Sequence, residues 1–450
     1  MKRSGVIGTV SGCLAAAAVF LMPGPGVFAA EPVKVGIVLP LTGSEANFGE
    51  IEKQSFEMAV EEINAKGGVK GAPIKLIIED DQSKPDVGRN AIEKLIQQDK
   101  VALVGGGYSS SVTAAMAGVA INKSFPLLIN TGSADNITEP SSYTPSGQMA
   151  TKKKKQMDEE KDPARKAELK AEMDALKAKS GEEVASIMPR YSIFRLNPPA
   201  SEYADGIEGF LKEVVKPATA VILYENSLFG TSSASNVEER FKRLGIKILI
   251  KEGYDKTTLD FKPILSRVKQ ENPDIIYMVS YSNDAALLMN HSMELKLNPK
   301  LFVGGGAGFT LPEFYESAGK AANKVISATL WHQSLPHPGA RQYFDNFVKR
   351  YKKDTEYHGA EAYAAMYVIA DALKRAKSLE PVDVKKALAA TDMMTVFGPV
   401  KFVSEGKKVN QNKMDTYVVQ WLGGKLEVIW PKKSATAKYA YPVDWAKERK

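Results

Sequence analysis

Short apolar runs alternate with amphipathic stretches along most of the chain. The runs are rich in β-branched residues, whereas in the amphipathic stretches apolar residues recur at helical spacing. In the first part of the chain the pattern predicts strands at 33–41, 74–81, 101–106 and 125–130 and helices at 48–68, 86–99 and 110–122. Strands that alternate with helices over short loops form a parallel sheet with helices on both faces. The pattern therefore predicts a doubly wound α/β unit.

The same alternation restarts after residue 200. It predicts strands at 219–224, 246–253 and 274–280 and helices at 201–214, 233–244, 260–270 and 284–296. The predicted fold class is thus α/β, with two doubly wound parallel-sheet lobes joined by crossover strands. Ligands of such sheets bind beyond the carboxyl ends of the strands. We therefore expect a binding cleft between the lobes.

A charged segment at residues 141–190 interrupts this alternation. Asp162 precedes a proline, which is a typical helix start. The few apolar residues of the segment form one narrow stripe, Leu169, Met173 and Leu176. The pattern predicts a helix or helical hairpin inserted into a loop, most simply a solvated excursion, and the sequence identifies no partner for it.

Residues 1–30 have the layout of a secretory signal, with a basic start, an apolar middle too short to span a membrane comfortably, and small residues at the end. Cleavage is expected after Ala29 or Ala30. The alternative is a lipoprotein signal that leaves Cys13 as a lipidated N-terminus, although the apolar run before this cysteine is short. Either signal predicts a periplasmic protein.

The composition excludes several kinds of site. Cys13 is the only cysteine, so an exported form cleaved after residue 29 or 30 has no disulfide, cysteine metal site or thiol nucleophile. The net charge is +7 and the lysines are spread along the chain, which argues against nucleic-acid binding. The four histidines have no metal-binding spacing, and no G-x-S-x-G elbow occurs. We expect no catalytic residue, metal or cofactor.

A glycine-serine turn at residues 104–111 offers candidate binding chemistry. It is not a dinucleotide fingerprint, because Ser110 stands where the third glycine belongs. Serines at a helix N-terminus favour an anion, although a single capping serine would explain them equally simply. A second turn at 130–136 adds Thr131 and Ser133 at the same predicted sheet edge. Together these turns indicate a carboxylate site.

Ordered segments throughout the chain resemble a known family. In the first lobe they are VKVGIVLPLTGSEANFGE, AVEEINAKGGVKGAPIKLIIEDDQSKPD, VGGGYSSS and FPLLINTGSADNIT; further on they are FRLNPPASEYADG, DFKPILSRVKQENPDIIYMVSYSNDAALLM and MMTVFGPVKFVSEGKK. These segments resemble the branched-chain amino-acid type of periplasmic binding protein, the receptors of ABC importers. The resemblance covers nearly all of 31–430 except the charged insert.

The resemblance implies a set of ligand-binding residues. Ser109 is expected to bind the ligand's carboxylate, and Ser133 its carboxylate or amine, with the Thr131 carbonyl nearby. The aromatic residues that the resemblance places around the ligand are Phe48, Phe229 and Tyr281. Independently of the resemblance, Tyr108 beside the glycine turn is placed either to line the cleft or to cover the core. A small amino acid or related carboxylate is the implied ligand.

One position departs from the family pattern. Amino-acid binders of this type carry an acidic residue where this chain has Gly306. Asp284, Asp205 or Glu45 are possible substitutes. Because a buried unpaired cation is strongly disfavoured, the departure favours a carboxylate without an α-amino group, with apolar amino acids as the alternative.

The predicted organisation follows from these elements. Lobe 1 comprises 31–140 and 334–395, lobe 2 comprises 191–333 and 396–430, and 431–450 form a C-terminal tail. The predicted protein is a monomeric receptor that hands its ligand to the membrane subunits of an ABC permease. A sensory or regulatory ligand-binding module on the same fold is the alternative.

Overall fold

The computed structural model describes residues 31–448, together with residues 1 and 5. The cleavage site and lipidation site predicted in the first thirty residues lie outside the described residues. The strands are β1 (Val33–Leu39), β2 (Ile74–Asp80), β3 (Leu103–Gly106), β4 (Leu127–Ile129), β5 (Ile193–Arg195), β6 (Thr219–Glu225), β7 (Lys247–Tyr254), β8 (Ile275–Val279), β9 (Leu301–Gly304), β10 (Ile326–Thr329), β11 (Asp392–Thr395), β12 (Gly398–Lys401), β13 (Val403–Glu405), β14 (Lys408–Gln411), β15 (Tyr417–Leu422) and β16 (Lys425–Trp430).

Helices connect most of these strands. They are α1 (Ala46–Ala65), α2 (Pro85–Gln97), α3 (Ser110–Lys123), α4 (Pro145–Glu159), α5 (Pro163–Ile187), α6 (Ala200–Tyr203), α7 (Asp205–Phe210), α8 (Leu228–Arg243), α9 (Lys262–Glu271), α10 (Ser282–Glu294), α11 (Pro312–Ala318), α12 (Ala340–Tyr351), α13 (Tyr357–Arg375), α14 (Pro381–Ala389) and α15 (Trp445–Glu448). Among the described residues, no helix combines the length and apolar composition needed to cross a membrane.

Two seven-stranded sheets form the centres of two lobes within residues 31–448. The first has the order β13-β14-β5-β4-β3-β1-β2 and the second the order β16-β15-β10-β9-β8-β6-β7. Strands β1 to β5 are parallel, as are β6 to β10, while β13, β15 and β16 add antiparallel edges. These two sheets confirm the predicted fold class. The physical reason is that strands alternating with helices pack compactly as a parallel sheet with helices on its faces.

Two predicted domain boundaries were wrong. Strand β5 and the pair β13-β14 were assigned to the second lobe, but they belong to the first sheet, where β5 lies between β4 and β14. The chain therefore crosses between the sheets three times, after β5, after β10 and after β14. The periodicity of a short strand identifies the strand but not its partner, which is why the sequence misplaced these elements.

The segment predicted as a C-terminal tail packs on the second lobe. The Trp445 side chain is buried, and its ring lies 4.8 Å from that of Phe302 in β9. The Gln420 amide donates to the Ala440 carbonyl at 3.0 Å. This segment therefore covers one part of the second sheet.

The predicted helical hairpin is confirmed in the charged insert. Helices α4 and α5 pack against each other between β4 and β5, with Asp162 capping α5 through the Arg165 amide at 2.8 Å. The predicted stripe lies inside the hairpin, where Leu169 and Met173 are buried. At the base of the hairpin, Ile187 joins the core of the first lobe. The middle of the insert therefore packs mainly on itself.

Candidate functional site

The turns that follow the parallel strands of the two sheets face each other. Between them lies a cavity of about 20 Å³, room for about one water molecule. Five residues predicted from the sequence line it: Tyr108, Thr131, Ser133, Phe229 and Tyr281. Ser110, one of the serines of the predicted glycine-serine turn, also lines it. The remaining lining residues, which the sequence analysis did not place there, are Tyr203, Ala307, Tyr357 and His358. Both lobes contribute lining residues, so the cavity lies at the junction of the two lobes.

The glycine run allows the turn after β3 to approach its neighbours closely. Gly106 has a φ of +104°, and a Cβ atom there would lie 2.3 Å from the Val38 carbonyl oxygen of β1. The Gly107 carbonyl accepts a hydrogen bond from the Gly132 amide at 2.8 Å. The glycines therefore bring the turns after β3 and β4 together, which a side chain would prevent.

Serine hydroxyls line one wall of the cavity. Ser109 is the N-cap residue of α3, makes no side-chain capping bond and does not line the cavity. The Ser110 hydroxyl does line it, and it accepts hydrogen bonds from the amides of Ser133 and Ala134 at 3.2 and 3.1 Å. The role of Ser109 in carboxylate binding stays a prediction, and among the serines of the predicted anion-binding turn it is Ser110 that lines the cavity.

A buried arginine holds the turn after β4 in place. Arg195, at the end of β5, has no exposed surface. Its guanidinium donates to the Gly132 and Ala134 carbonyls, the Thr138 hydroxyl and the Gln411 side chain at 3.2, 2.8, 3.1 and 2.6 Å. The rigid fork of an arginine suits such a set of acceptors. Arg195 thereby positions the turn that carries Ser133.

Aromatic rings form the opposite wall. Phe48 does not line the cavity but stacks on Tyr108 with ring centroids 4.4 Å apart. The Tyr281 ring lies 6.1 Å from that of Tyr108 and 6.2 Å from that of Phe229, and Tyr203 lies 6.2 Å from Phe229. These rings come from both lobes and lie together at the junction of the lobes.

The start of α13 completes the wall. The Tyr357 and His358 rings stack at 3.9 Å, and the Tyr357 hydroxyl accepts a hydrogen bond from the Ala307 amide of the second lobe at 2.9 Å. The sequence analysis considered His358 only as a metal ligand, and the tertiary packing places it at the cavity instead.

The backbone at Gly306 explains why no acid stands there. Its φ of +88° and ψ of −150° lie in a region that essentially only glycine adopts. A Cβ atom would lie 3.3 Å from the Tyr203 ring and 3.6 Å from the Tyr357 hydroxyl. An acidic side chain at this position would require a different backbone.

We expect Gly306→Ala to lower the free energy of unfolding by about 1–3 kcal/mol, because alanine strains this backbone conformation. Urea unfolding followed by circular dichroism measures the change. Gly118→Ala is the matched control, since a Cβ atom there meets no atom within 4 Å in the middle of α3. Equal stability of Gly306→Ala and the wild type would contradict the strain.

The three acids proposed as substitutes for position 306 do not line the cavity. Each has another partner: Tyr254 for Asp284, Arg240 for Asp205 and Lys256 for Glu45. Burial raises the pKa of Asp284 to about 7. The Glu45 pair joins the two lobes, with a Lys256 Nζ to Glu45 Oε1 distance of 2.6 Å.

A second junction between the lobes centres on Asp135. Its carboxylate, at the turn after β4, accepts hydrogen bonds or an ion pair from Ser201, Ser232, Asn236 and Lys408. The Asn236 amide and Ser232 hydroxyl, both on α8 of the second lobe, lie 2.8 and 3.1 Å away. Asp135 therefore stabilises the arrangement in which the lobes are in contact.

Comparison with known proteins extends over most of the chain. The model of a family described as "Periplasmic binding protein" matches residues 32–153 and 189–425. Leu/Ile/Val-binding protein homolog 7 of Brucella melitensis is 24% identical over 92% of this chain and 95% of its own length. Leu/Ile/Val-binding protein homolog 8 of Brucella abortus is 27% identical over 91% of this chain and 93% of its own length. Residues 154–188 of the insert lie outside the family match.

Solved structures share the fold. The branched-chain amino-acid transporter substrate-binding protein LivJ of Streptococcus pneumoniae, in complex with isoleucine, has a TM-score of 0.71, with 22% identity over 89% of this chain and all of that one. A solute-binding protein of an ABC transporter from R. palustris, in complex with benzoate, has a TM-score of 0.70, with 17% identity over 92% of this chain and 99% of that one. These similar proteins are binding proteins and not enzymes.

Proposed function

Because the chain belongs to the periplasmic binding protein family, whose members act outside the cytoplasm and are not enzymes, we propose that it is the solute receptor of an ABC importer. Its ligand would be a small amino acid or a related aliphatic or aromatic carboxylate. The observation that carries the proposal is the cavity at the lobe interface, lined by two serines, one threonine and aromatic rings from both lobes. The isoleucine and benzoate bound by similar structures have this combination of carboxylate and apolar body.

The three chain crossings allow the lobes to rotate relative to each other. A ligand that contacts both lobes favours the closed form, and the membrane permease would recognise that form. Exclusion of water from the closed cleft strengthens hydrogen bonds to the ligand's carboxylate. The receptor acts as a monomer after export by the N-terminal signal, either cleaved or lipidated.

We expect Ser133→Ala to weaken binding of a carboxylate ligand by about 1–3 kcal/mol, because part of a buried carboxylate loses its donor. A thermal-shift screen of amino acids, their 2-oxo analogues and benzoates identifies a ligand, and calorimetry then measures the affinity. The same change at Ser109 tests the residue that the family resemblance selects.

Ser186→Ala is the matched control, since this exposed serine lies in the insert and its hydroxyl donates to the Glu183 carbonyl of the same helix. Its affinity should equal that of the wild type. Unchanged affinity in both Ser133→Ala and Ser109→Ala would contradict the carboxylate site. Failure of every carboxylate in the screen to bind would contradict the proposed function itself.

A further inference from the structure

Two buried carboxyl groups meet directly behind the turn that follows β4. Glu52 on α1 and Glu361 on α13 have no exposed surface. The Oε1 atom of each lies within hydrogen-bonding distance of the Thr131 Oγ1 atom, at 2.6 Å for Glu52. The Asn130 side-chain amide donates to the same Oγ1 atom at 2.8 Å. One hydroxyl therefore has three polar neighbours.

Because the Thr131 hydroxyl has a single proton, it determines how many protons the two carboxyl groups must hold. A threonine hydroxyl has one proton to donate and accepts through its lone pairs. Asn130 uses one acceptor position, and the hydroxyl proton serves one carboxylate. The contact with the other carboxyl group is a hydrogen bond only if that group is protonated and donates to Thr131. In this arrangement the pair of Glu52 and Glu361 holds at least one proton.

The pair has no basic partner of its own. The Oε2 atoms of Glu52 and Glu361 are buried and have no hydrogen-bond partner, and neither residue forms an ion pair with a lysine or arginine of residues 31–448. The titratable side chains near it, Glu356 and His358, lie in contact with each other, with a His358 Nδ1 to Glu356 Oε1 distance of 2.8 Å. Burial raises the pKa of both carboxyl groups, and the Glu356 charge adds to the rise at both. The Glu52 charge adds to the rise at Glu361. The Thr131 hydrogen bond opposes the rise at both groups, and His358 and the Asn130 hydrogen bond oppose it at Glu52.

This pair borders the cavity. Thr131 lines the cavity, and Glu361 follows Tyr357 and His358 by one helical turn, so the three share one face of α13. Among the lining residues in the described part of the chain there is no acid, lysine or arginine. The remaining lining is largely aromatic, from Tyr108, Tyr203, Phe229, Tyr281 and Tyr357. Ring faces backed by buried carboxyl groups are a suitable environment for an organic ammonium group.

We propose that Glu52 and Glu361 are the acid pair that selects a ligand carrying an organic ammonium group, and that the pair releases a proton when such a ligand binds. The proton passes to the solvent, and the resulting negative charge pairs with the ammonium group through Thr131 and the surrounding rings. This inference rests on the proposed function, because it concerns the same cleft. It replaces the expectation, drawn from Gly306, that the ligand has no α-amino group.

Proton release makes the affinity depend on pH in one direction. Below the pKa of the pair, the ligand must displace a proton, so the affinity for an ammonium ligand rises with pH, by up to about tenfold per pH unit. A carboxylate without an ammonium group does not gain affinity in this way. Only the ammonium ligands should therefore gain affinity as the pH rises from about 5 to about 7.

The experiment compares L-leucine, L-phenylalanine and glycine betaine with the 2-oxo analogues of the two amino acids. Calorimetry in buffers of different ionisation enthalpy gives both the affinity and the number of protons released. We expect at least one ammonium ligand to bind more tightly than the 2-oxo analogues and to release a proton on binding. The 2-oxo analogues should release no proton. Glu361→Gln and Glu52→Gln should abolish the release and weaken the ammonium ligand about tenfold while leaving the analogues unchanged.

Glu62→Gln is the matched control on α1, because Glu62 accepts hydrogen bonds from Tyr363 and Tyr367 in a separate groove. If one glutamine variant does not fold, judged by its melting curve, the other variant and the wild-type proton release decide the question.

Tighter binding of the analogues, absence of proton release in the wild type, or full affinity for the ammonium ligand in folded Glu361→Gln and Glu52→Gln would overturn the inference alone. Failure of every tested carboxylate to bind the wild type would overturn both the inference and the proposed function.

Discussion

Replacing Arg195 by methionine is expected to lower the free energy of unfolding by about 3–5 kcal/mol. Methionine approximates the volume of the arginine stem but donates no hydrogen bond. The substitution removes the arginine donor from four buried acceptors, on Gly132, Ala134, Thr138 and Gln411. The Ala134 carbonyl keeps a bond from the Ile137 amide at 3.2 Å and the Gln411 oxygen keeps one from the Thr138 hydroxyl at 3.3 Å, so the Gly132 carbonyl and the Thr138 oxygen are the acceptors most affected. Each unsatisfied buried group costs about 1–3 kcal/mol, so their combined loss exceeds any gain from removing a buried charge. Urea unfolding measures the effect.

Arg190→Met is the matched control, because Arg190 is exposed just before β5. Its free energy of unfolding should stay within about 0.5 kcal/mol of the wild type. Arg195→Lys should also be destabilised, since an ammonium group cannot reproduce the fork of donors. Wild-type stability of Arg195→Met would show that the turn after β4 does not depend on this residue.

Asp135→Ala is expected to weaken ligand binding by about 2 kcal/mol, or about thirtyfold, because it removes a carboxylate that joins the lobes. Asp135 does not line the cavity, so the loss would come from the equilibrium between open and closed lobes rather than from ligand contact. Calorimetry measures the affinity, and small-angle X-ray scattering should detect a larger radius of gyration. Asp86→Ala, an exposed aspartate on α2, is the control. An unchanged affinity in Asp135→Ala would contradict the role of this junction.

The pKa of Asp135 sets the pH below which this residue no longer stabilises the closed arrangement of the lobes. Burial raises the pKa of Asp135, but the Ser201 hydrogen bond and the Lys408 and Arg195 charges outweigh it, so the pKa lies below its ordinary value. Because the pKa is lowered, the stabilisation of the closed arrangement by Asp135 is fully present above the ordinary aspartate pKa. It is lost as the pH falls through the lowered pKa. The Asp135 contribution should thus be constant above about pH 5 and decline below about pH 4, and Asp135→Ala should remove this decline.

Local patterns predicted much of the fold and part of the site. Runs rich in β-branched residues and helical spacing located β1 to β4, β6 to β8 and the helices that connect them within each sheet. The charged insert formed the hairpin that its proline and apolar stripe indicated. Thr131 and Ser133 lie at the cavity because the carboxyl ends of parallel strands meet at one edge of a sheet. By contrast, the predicted helix at 201–214 is divided into α6, α7 and a π turn. Helical spacing alone did not reveal these breaks.

Tertiary packing decided the features that depend on residues far apart in the chain. Strand β5 joined the first sheet because its partners are β4 and β14, and no local pattern identifies the neighbours of a strand. In the sequence, Glu52 and Glu361 are indistinguishable from other glutamates in helices. The packing of α1 on α13 buries them together behind Thr131. Hydrophobic periodicity is a property of one segment, whereas burial of a charge is a property of everything that surrounds it.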